Sequence, residues 1–225
     1  MSGPPVLLVH GFATSAARTW GDNGWLDLLA DVGRQTIAVD LLGHGTAPKP
    51  HEPAAYDELE SLVAAQLPDE PVDAIGFSMG ARLILTLAAA DPSRFRKIVV
   101  AGIGANLFRR DESSSLVADA VAGHGDPANP VVQYFSGLAN HPESDRDALV
   151  ACMRSPRPPL DDGRLANVTV PVLVVLGDED FAGPADPLVE ALPDAKFVPL
   201  RRVDHSATPK DFAFLDAALA FIDAV

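Results

Sequence analysis

A serine flanked by small residues is the first feature of this chain that could do chemistry. Gly76-Phe77-Ser78-Met79-Gly80 fits the pattern Gly-x-Ser-x-Gly, with an apolar run at 72–77 leading in and a long apolar segment at 79–90 leading out. A sharp strand-to-helix turn of this kind lifts a serine hydroxyl above the carboxyl ends of the strands, and small neighbours remove clashes at the turn. It also sets Ser78 at a helix N-terminus, where backbone N–H groups and the helix dipole favour developing negative charge. A serine that merely caps a helix would use the same residue types. The strand before it and the apolar helix after it point to a nucleophile instead.

A serine hydroxyl is a weak nucleophile and needs a base. Among the six histidines, His10 ends the first apolar run, His44 and His51 follow the second, and His205 follows the last, while His124 and His141 lie in an irregular stretch. In a parallel sheet the loops after the strands gather on the edge where Ser78 emerges, so His205, His10 and His44 are all open by placement. The base needs an acid to orient it and stabilise its cation. Asp178, Glu179 and Asp180 follow the run 170–176 and Gly177 on that same edge, and His205 comes from the very next loop. The run ending Val99-Val100-Ala101 meets no acid until Asp111.

These side chains need a scaffold, and the apolar pattern predicts one. Short runs at 6–9, 36–39, 72–77, 97–101, 170–176 and 196–200 read as strands, mostly apolar throughout, as parallel strands covered on both faces are. Helical spacing joins Trp25, Leu28, Leu29 and Val32 before Gly33, and further helices are predicted at 56–67, 79–90, 184–192 and 211–225. The alternation predicts an α/β fold: a mostly parallel six-stranded sheet with helices on both faces. From about 106 to 167 the rhythm breaks, with Pro127, Pro130, Pro142, Pro156, Pro158 and Pro159 and no strand pattern. Helical fragments are predicted there at 114–122 and 145–153. Because Leu116, Val117, Val121, Val132, Tyr134 and Phe135 need burial, the stretch reads as an insertion over the sheet edge within a single domain, 1–225.

Composition narrows the partners. The 225 residues carry 17 Lys+Arg against 31 Asp+Glu, a net charge of −14, with 48% hydrophobic and 21% charged residues. That is ample for one core and excludes disorder by composition. The acidic balance argues against nucleic acid, which needs a basic face. The lone Cys152 forms no internal disulfide, and there is no zinc-spaced cysteine cluster. No secretory signal or membrane span is read, so a cytoplasmic protein is expected. Asn167-Val168-Thr169 matches a glycosylation sequon that such a location would leave unused.

With these residues in view, the chain resembles the α/β-hydrolase fold enzymes, as an esterase- or lipase-like member. The resemblance runs over nearly the whole chain. It rests on Leu8-Val9-His10-Gly11-Phe12, on Asp40-Leu41-Leu42-Gly43-His44-Gly45, on the Ser78 turn, on the segment from Pro171 to Asp180, and on His205. The order Ser78, Asp180, His205 follows that family's nucleophile–acid–histidine order. Within its Gly-x-x-Asp pattern Asp180, rather than Asp178, matches the acid. The resemblance assigns the oxyanion hole to the backbone N–H groups of Phe12 and Met79, and gives His10 and His44 structural roles. It implies no metal and no organic cofactor. A serine where related epoxide hydrolases and dehalogenases carry Asp argues against both of those chemistries. The family often has an N-terminal hairpin ahead of the His-Gly strand, but only a few residues precede it here, which implies a minimal six-stranded sheet.

The insertion at 106–167 corresponds to that family's cap. Arg109, Arg110, Arg154 and Arg157 could hold an anionic group, but Asp111, Glu112, Asp161 and Asp162 nearby make a solvated cap surface the expected reading. Leu107, Phe108, Leu138 and Met153 are candidates for an apolar pocket, whereas Trp20 and Trp25 are expected in the core. The expected function is hydrolysis of small to medium carboxylic esters through an acyl-enzyme. Carbon–carbon bond hydrolysis, perhydrolysis or lyase chemistry with the same residues, and low-turnover ligand binding, are the alternatives.

Overall fold

A computed structural model describes residues 3–108, 112–157 and 160–224, with the backbone alone at 112 and 113. Six strands form one sheet: β1 (Val6–Val9), β2 (Thr36–Val39), β3 (Val72–Phe77), β4 (Phe95–Ala101), β5 (Val172–Gly177) and β6 (Ala195–Leu200). Every pairing is parallel, in the order β2-β1-β3-β4-β5-β6. The chain steps from β1 outward to β2, then returns to the other side of β1 to lay down β3. That reversal opens a crevice at the carboxyl ends of β1 and β3, the place where open α/β sheets build their sites.

The strands read as apolar throughout because both faces are covered. Val6 and Leu8 of β1, Ile75 and Phe77 of β3 and Val99 and Ala101 of β4 face α1 (Trp25–Asp31) and α9 (Phe212–Phe221). Leu7, Val9, Ala74, Ile98 and Val100 face the opposite layer, which holds α2 (Leu59–Ala64), α3 (Met79–Ala90) and α8 (Asp186–Ala191). This is the period-two alternation of a pleated strand, with apolar residues at both phases. Trp20 and Trp25 are fully buried on the α1–α9 side, where Trp25 Nε1 donates to the Pro209 carbonyl at 2.8 Å.

Between β4 and β5 the described residues form four α-helices: α4 (Glu112–Val121), α5 (Pro130–Ala139), α6 (Arg146–Arg154) and α7 (Asp162–Leu165). Helix α5 was not expected. Pro130 reads as a breaker, yet it stands at the first helical turn, where a missing N–H costs nothing, and the Asn129 side chain accepts from Val131 N–H at 2.9 Å. Val121, Val132, Leu149 and Leu165 extend the same core that lies beneath α3. At the amino end of the sheet, buried Asp73 accepts from Arg34 and from Arg96 (2.6 Å), and Arg96 continues to Asp223 at 2.8 Å. This network fastens the C-terminal segment to the sheet, far from the crevice.

Candidate active site

Ser78 joins β3 to α3 with φ 53° and ψ −114°, a backbone conformation that costs a non-glycine residue about 1–3 kcal/mol. Its N–H donates to the Ala101 carbonyl at 2.8 Å, which ties the turn to β4. The two flanking glycines have steric reasons. A Cβ on Gly76 would lie 2.7 Å from the backbone of Ala81, and one on Gly80 would meet the Val9 and His10 carbonyls. The helix therefore starts pressed against β1, and only glycine permits that approach.

The loops after β5 and β6 complete a hydrogen-bonded line. His205 Nε2 lies 3.1 Å from Ser78 Oγ, and His205 Nδ1 lies 2.9 Å from each carboxylate oxygen of Asp180. The Asp180 side chain is fully buried, and Oδ1 also accepts from the Ala182 N–H at 2.9 Å. Asp178 is exposed and turned elsewhere, accepting from the Arg202 N–H at 2.6 Å. Asp204, the neighbour of His205, accepts from Ser206 Oγ and the Ala207 N–H within its own turn.

The other two candidate histidines have structural partners. His10 Nδ1 bonds the Gly11 carbonyl, and its Nε2 accepts from the Leu41 N–H at 3.1 Å, so both ring nitrogens hold the crevice loops together. His44 Nδ1 bonds the Leu42 carbonyl, and its ring meets Phe12 edge-on at 5.5 Å. Burial pushes His10 down to about 4 and His44 down to about 3, which keeps both rings neutral near pH 7. Asp40 accepts from the Ala16 and Thr46 N–H groups, bracing the loop after β2 against the loop after β1.

The loop after β1 packs directly on the serine. A Cβ on Gly11 would stand 3.0 Å from the Phe77 ring and 3.4 Å from Ser78 Cβ, so the backbone entering Phe12 runs alongside Ser78. Met79 is the first residue of α3, and its N–H has no acceptor within the helix. The loop after β1 and the start of α3 thus meet at Ser78.

A cavity of about 800 Å³ opens over Ser78, walled by Phe12, Met79 and Ile103 and by residues of the segment between β4 and β5. Of the expected pocket residues, Leu107, Phe108 and Met153 line it; Leu138 packs into the core instead. Tyr134 and Phe181 are site residues that pattern alone did not single out. The Phe181 ring lies 4.3 Å from the His205 ring, and Tyr134 meets it edge-on at 5.6 Å. Phe77 closes a further side at 4.8 Å. Of the arginines expected on a solvated surface, exposed Arg154 and half-buried Arg157 line the cavity, and so does Arg82 of α3. Arg109, Arg110 and Asp111 lie outside the described residues. Among the described residues no three His, Cys, Asp or Glu side chains could hold a metal ion, and no helix is long and apolar enough to cross a membrane.

Comparison with known proteins agrees with this architecture. A pimeloyl-[acyl-carrier protein] methyl ester esterase from Neisseria meningitidis is 29% identical over 251 residues, covering 96% of this chain and 90% of the relative. A 2-hydroxy-6-oxo-2,4-heptadienoate hydrolase from Pseudomonas putida is 31% identical over 147 residues, covering 60% of this chain and 50% of the relative. Among solved structures, the enol-lactonase from Burkholderia xenovorans LB400 superposes with a TM-score of 0.73 at 20% identity, covering 99% of this chain and 92% of that one. The family model described as the alpha/beta hydrolase fold matches residues 4–127, more than half of the sequence. With the parallel sheet and the serine turn in place, the chain belongs to the alpha/beta hydrolase fold family and is a hydrolase.

Proposed function

We propose that this chain is a serine carboxylic-ester hydrolase, in which Ser78 is the nucleophile, His205 the base and Asp180 the orienting acid. The observation that carries the reading is the continuous line from Ser78 Oγ through His205 to a fully buried carboxylate, with Ser78 on the wall of the cavity. Asp180 holds the proton on His205 Nδ1, leaving Nε2 to accept the serine proton as Oγ attacks the ester carbonyl carbon. The Phe12 and Met79 N–H groups receive the oxyanion; such a donor is worth about 2.7–4 kcal/mol to the transition state. The tetrahedral intermediate collapses, the ester C–O bond breaks, and His205 returns the proton to the departing alcohol. Water then repeats the sequence on the acyl-serine, releasing the acid and restoring the hydroxyl. The helices within 106–167 act as a cap over a single 1–225 domain, and Tyr134 brings that cap against the base.

The relative named as a methyl ester esterase supports the same chemistry. Hydrolysis of p-nitrophenyl esters from acetate to laurate tests it. Wild type is expected to turn over at least one ester, and Ser78→Ala and His205→Ala to lose that turnover. An absence of Ser78-dependent turnover throughout the series overturns the proposal. The relative named as an oxo-dienoate hydrolase favours a second reading, carbon–carbon bond hydrolysis by the same residues. Turnover of such a dienoate without ester turnover would select it.

A further inference from the structure

Hydrogen bonds hold His205 at its two nitrogens, to Asp180 and to Ser78 Oγ, but they leave the faces of the ring to packing. A base must keep Nε2 within hydrogen-bond reach of the serine proton, so whatever stops the ring from swinging about its side-chain bonds bears on the rate. Three aromatic rings from three parts of the chain surround the imidazole: Phe77 at the end of β3, Phe181 in the loop after β5, and Tyr134 of α5. Phe77 and Phe181 are tilted by 38° and 35° to it, with centroids at 4.8 Å and 4.3 Å. Tyr134 stands across it at 88° and 5.6 Å. On the carbon edge, a Cβ at Gly102 would come 3.1 Å from His205 Cε1, so backbone fills that side.

The ring nearest the base is the least secured by its own surroundings. Phe181 is 40% exposed in a loop, whereas Phe77 is 4% exposed within the core between sheet and helices. Helix α5 backs Phe181: the Tyr134 and Phe135 rings lie 6.0 Å and 6.1 Å from it and meet each other nearly edge-on at 4.9 Å. The helix is anchored in turn. Phe135 packs on Phe12 of the loop after β1 at 5.9 Å, and Ser136 Oγ donates to the Ala120 carbonyl of α4 at 2.8 Å. Successive helix residues diverge by about 100°, which lets one ring reach the base while the next reaches the loop after β1. Among the described residues, Phe135 lines the cavity over Ser78 and Tyr134 does not. Tyr134 therefore meets the reaction through His205 and not through the cavity wall.

We propose that Tyr134 is a positioning residue for the base: its ring steadies His205 directly and through Phe181, so that the seating of α5 on the crevice sets the rate of attack by Ser78. The aromatic ring does this, and the hydroxyl has no part in it. The proposal rests on the reading of Ser78 as nucleophile and His205 as base, and it holds whichever bond the substrate offers.

Two rates on the full chain test it. One is steady-state turnover, kcat and KM, with the best p-nitrophenyl ester. The other is the limiting rate at which a p-nitrophenyl alkylphosphonate labels Ser78, read as a burst of p-nitrophenolate. In that labelling Ser78 Oγ bonds to phosphorus, the P–O bond to p-nitrophenolate breaks, and His205 takes the serine proton. Tyr134→Leu is expected to lower kcat and the labelling rate together, by about 10-fold, the scale of a lost ring contact, with KM within about twofold. Tyr134→Phe keeps the ring and stays within about twofold on both, as does Gln133→Ala, an exposed neighbour on the same helix. A raised KM at unchanged kcat in Tyr134→Leu overturns the proposal, as do losses in Tyr134→Phe equal to those in Tyr134→Leu. Thermal melting reports on folding, and Tyr134→Met carries the same expectation where the leucine variant does not fold. Wild type that labels at Ser78 but turns over no ester removes the ester reading alone, and the labelling ratio then decides the positioning role. Wild type that does not label removes the base, and this proposal with it.

Discussion

Asp180→Asn separates a carboxylate that orients the base from one that merely lies nearby. Both Asp180 oxygens stand 2.9 Å from His205 Nδ1, and Oδ1 also accepts from the Ala182 N–H. Asparagine has the same shape but a single acceptor oxygen. The Ala182 N–H requires that oxygen at the Oδ1 position, which turns the amide NH2 toward Nδ1. With Oδ1 already accepting from Ala182 and an amide donor 2.9 Å from Nδ1, the ring is driven to accept at Nδ1; its proton then sits on Nε2, which donates to Ser78 Oγ where a base should accept. The side chain is fully buried, so water cannot restore the other arrangement. Holding a catalytic histidine in the wrong tautomer costs about 10⁴-fold in rate, or about 5.5 kcal/mol of transition-state stabilisation.

Asp178 supplies the matched control. It is exposed, and an asparagine oxygen can still accept from the Arg202 N–H, so Asp178→Asn is expected to stay within about twofold, as surface substitutions do. The assay is kcat/KM on the best ester, with thermal melting to confirm that each variant folds. Loss of 100-fold or more in Asp178→Asn, with Asp180→Asn near wild type, would refute the tautomer argument and the choice of acid together.

Three further perturbations test the framework. Gly80→Ala drives a Cβ into the Val9 and His10 carbonyls, and a stability loss of about 3 kcal/mol or more is expected in urea titration; an unchanged midpoint would contradict the close packing of α3 on β1. Asp73→Ala strands the buried Arg34 guanidinium and should cost about 3–5 kcal/mol of stability without altering KM, because the network lies at the opposite end of the sheet. His10 and His44 are held near 4 and near 3 against an ordinary value of 6.5, so between pH 6.5 and 4 the unfolded chain binds more protons than the folded one. Their contribution is complete above pH 6.5 and is lost as pH falls through this window, by up to about 1.4 kcal/mol per pH unit for each ring. Replacing His44 by Phe should flatten the fall in urea midpoint over that range; an unaltered slope would refute the assignment.

Much of the scaffold was legible because its signals are local. The strands at 6–9, 36–39 and 72–77 and the helix at 79–90 agree with the observed bounds, since Pro5, Asp40, Pro71 and Asp91 each mark one end of an apolar run. The expected helix at 56–67 shrinks to Leu59–Ala64, preceded by a tight turn over Pro53–Tyr56. Helix α5 is not expected from the proline-rich pattern of 106–167, although Asn129 before Pro130 is a good cap. That omission hid Tyr134, whose contact with His205 needs α5 to exist as a helix.

The amino-acid sequence by itself determined the parallel sheet, the strained turn at Ser78 and the glycines that let neighbouring backbones close on it, because each depends on a few adjacent residues. Tertiary structure decided which histidine and which acid meet the serine. His10, His44 and His205 share one edge of the sheet, but only His205 presents a ring nitrogen to Ser78 Oγ, since hydrogen bonds within the crevice loops turn the other two away. It also decided that Arg82 and Arg157, 75 residues apart, line one cavity. Contacts between distant segments depend on how helices pack across the sheet, and no local pattern of residues encodes that distance.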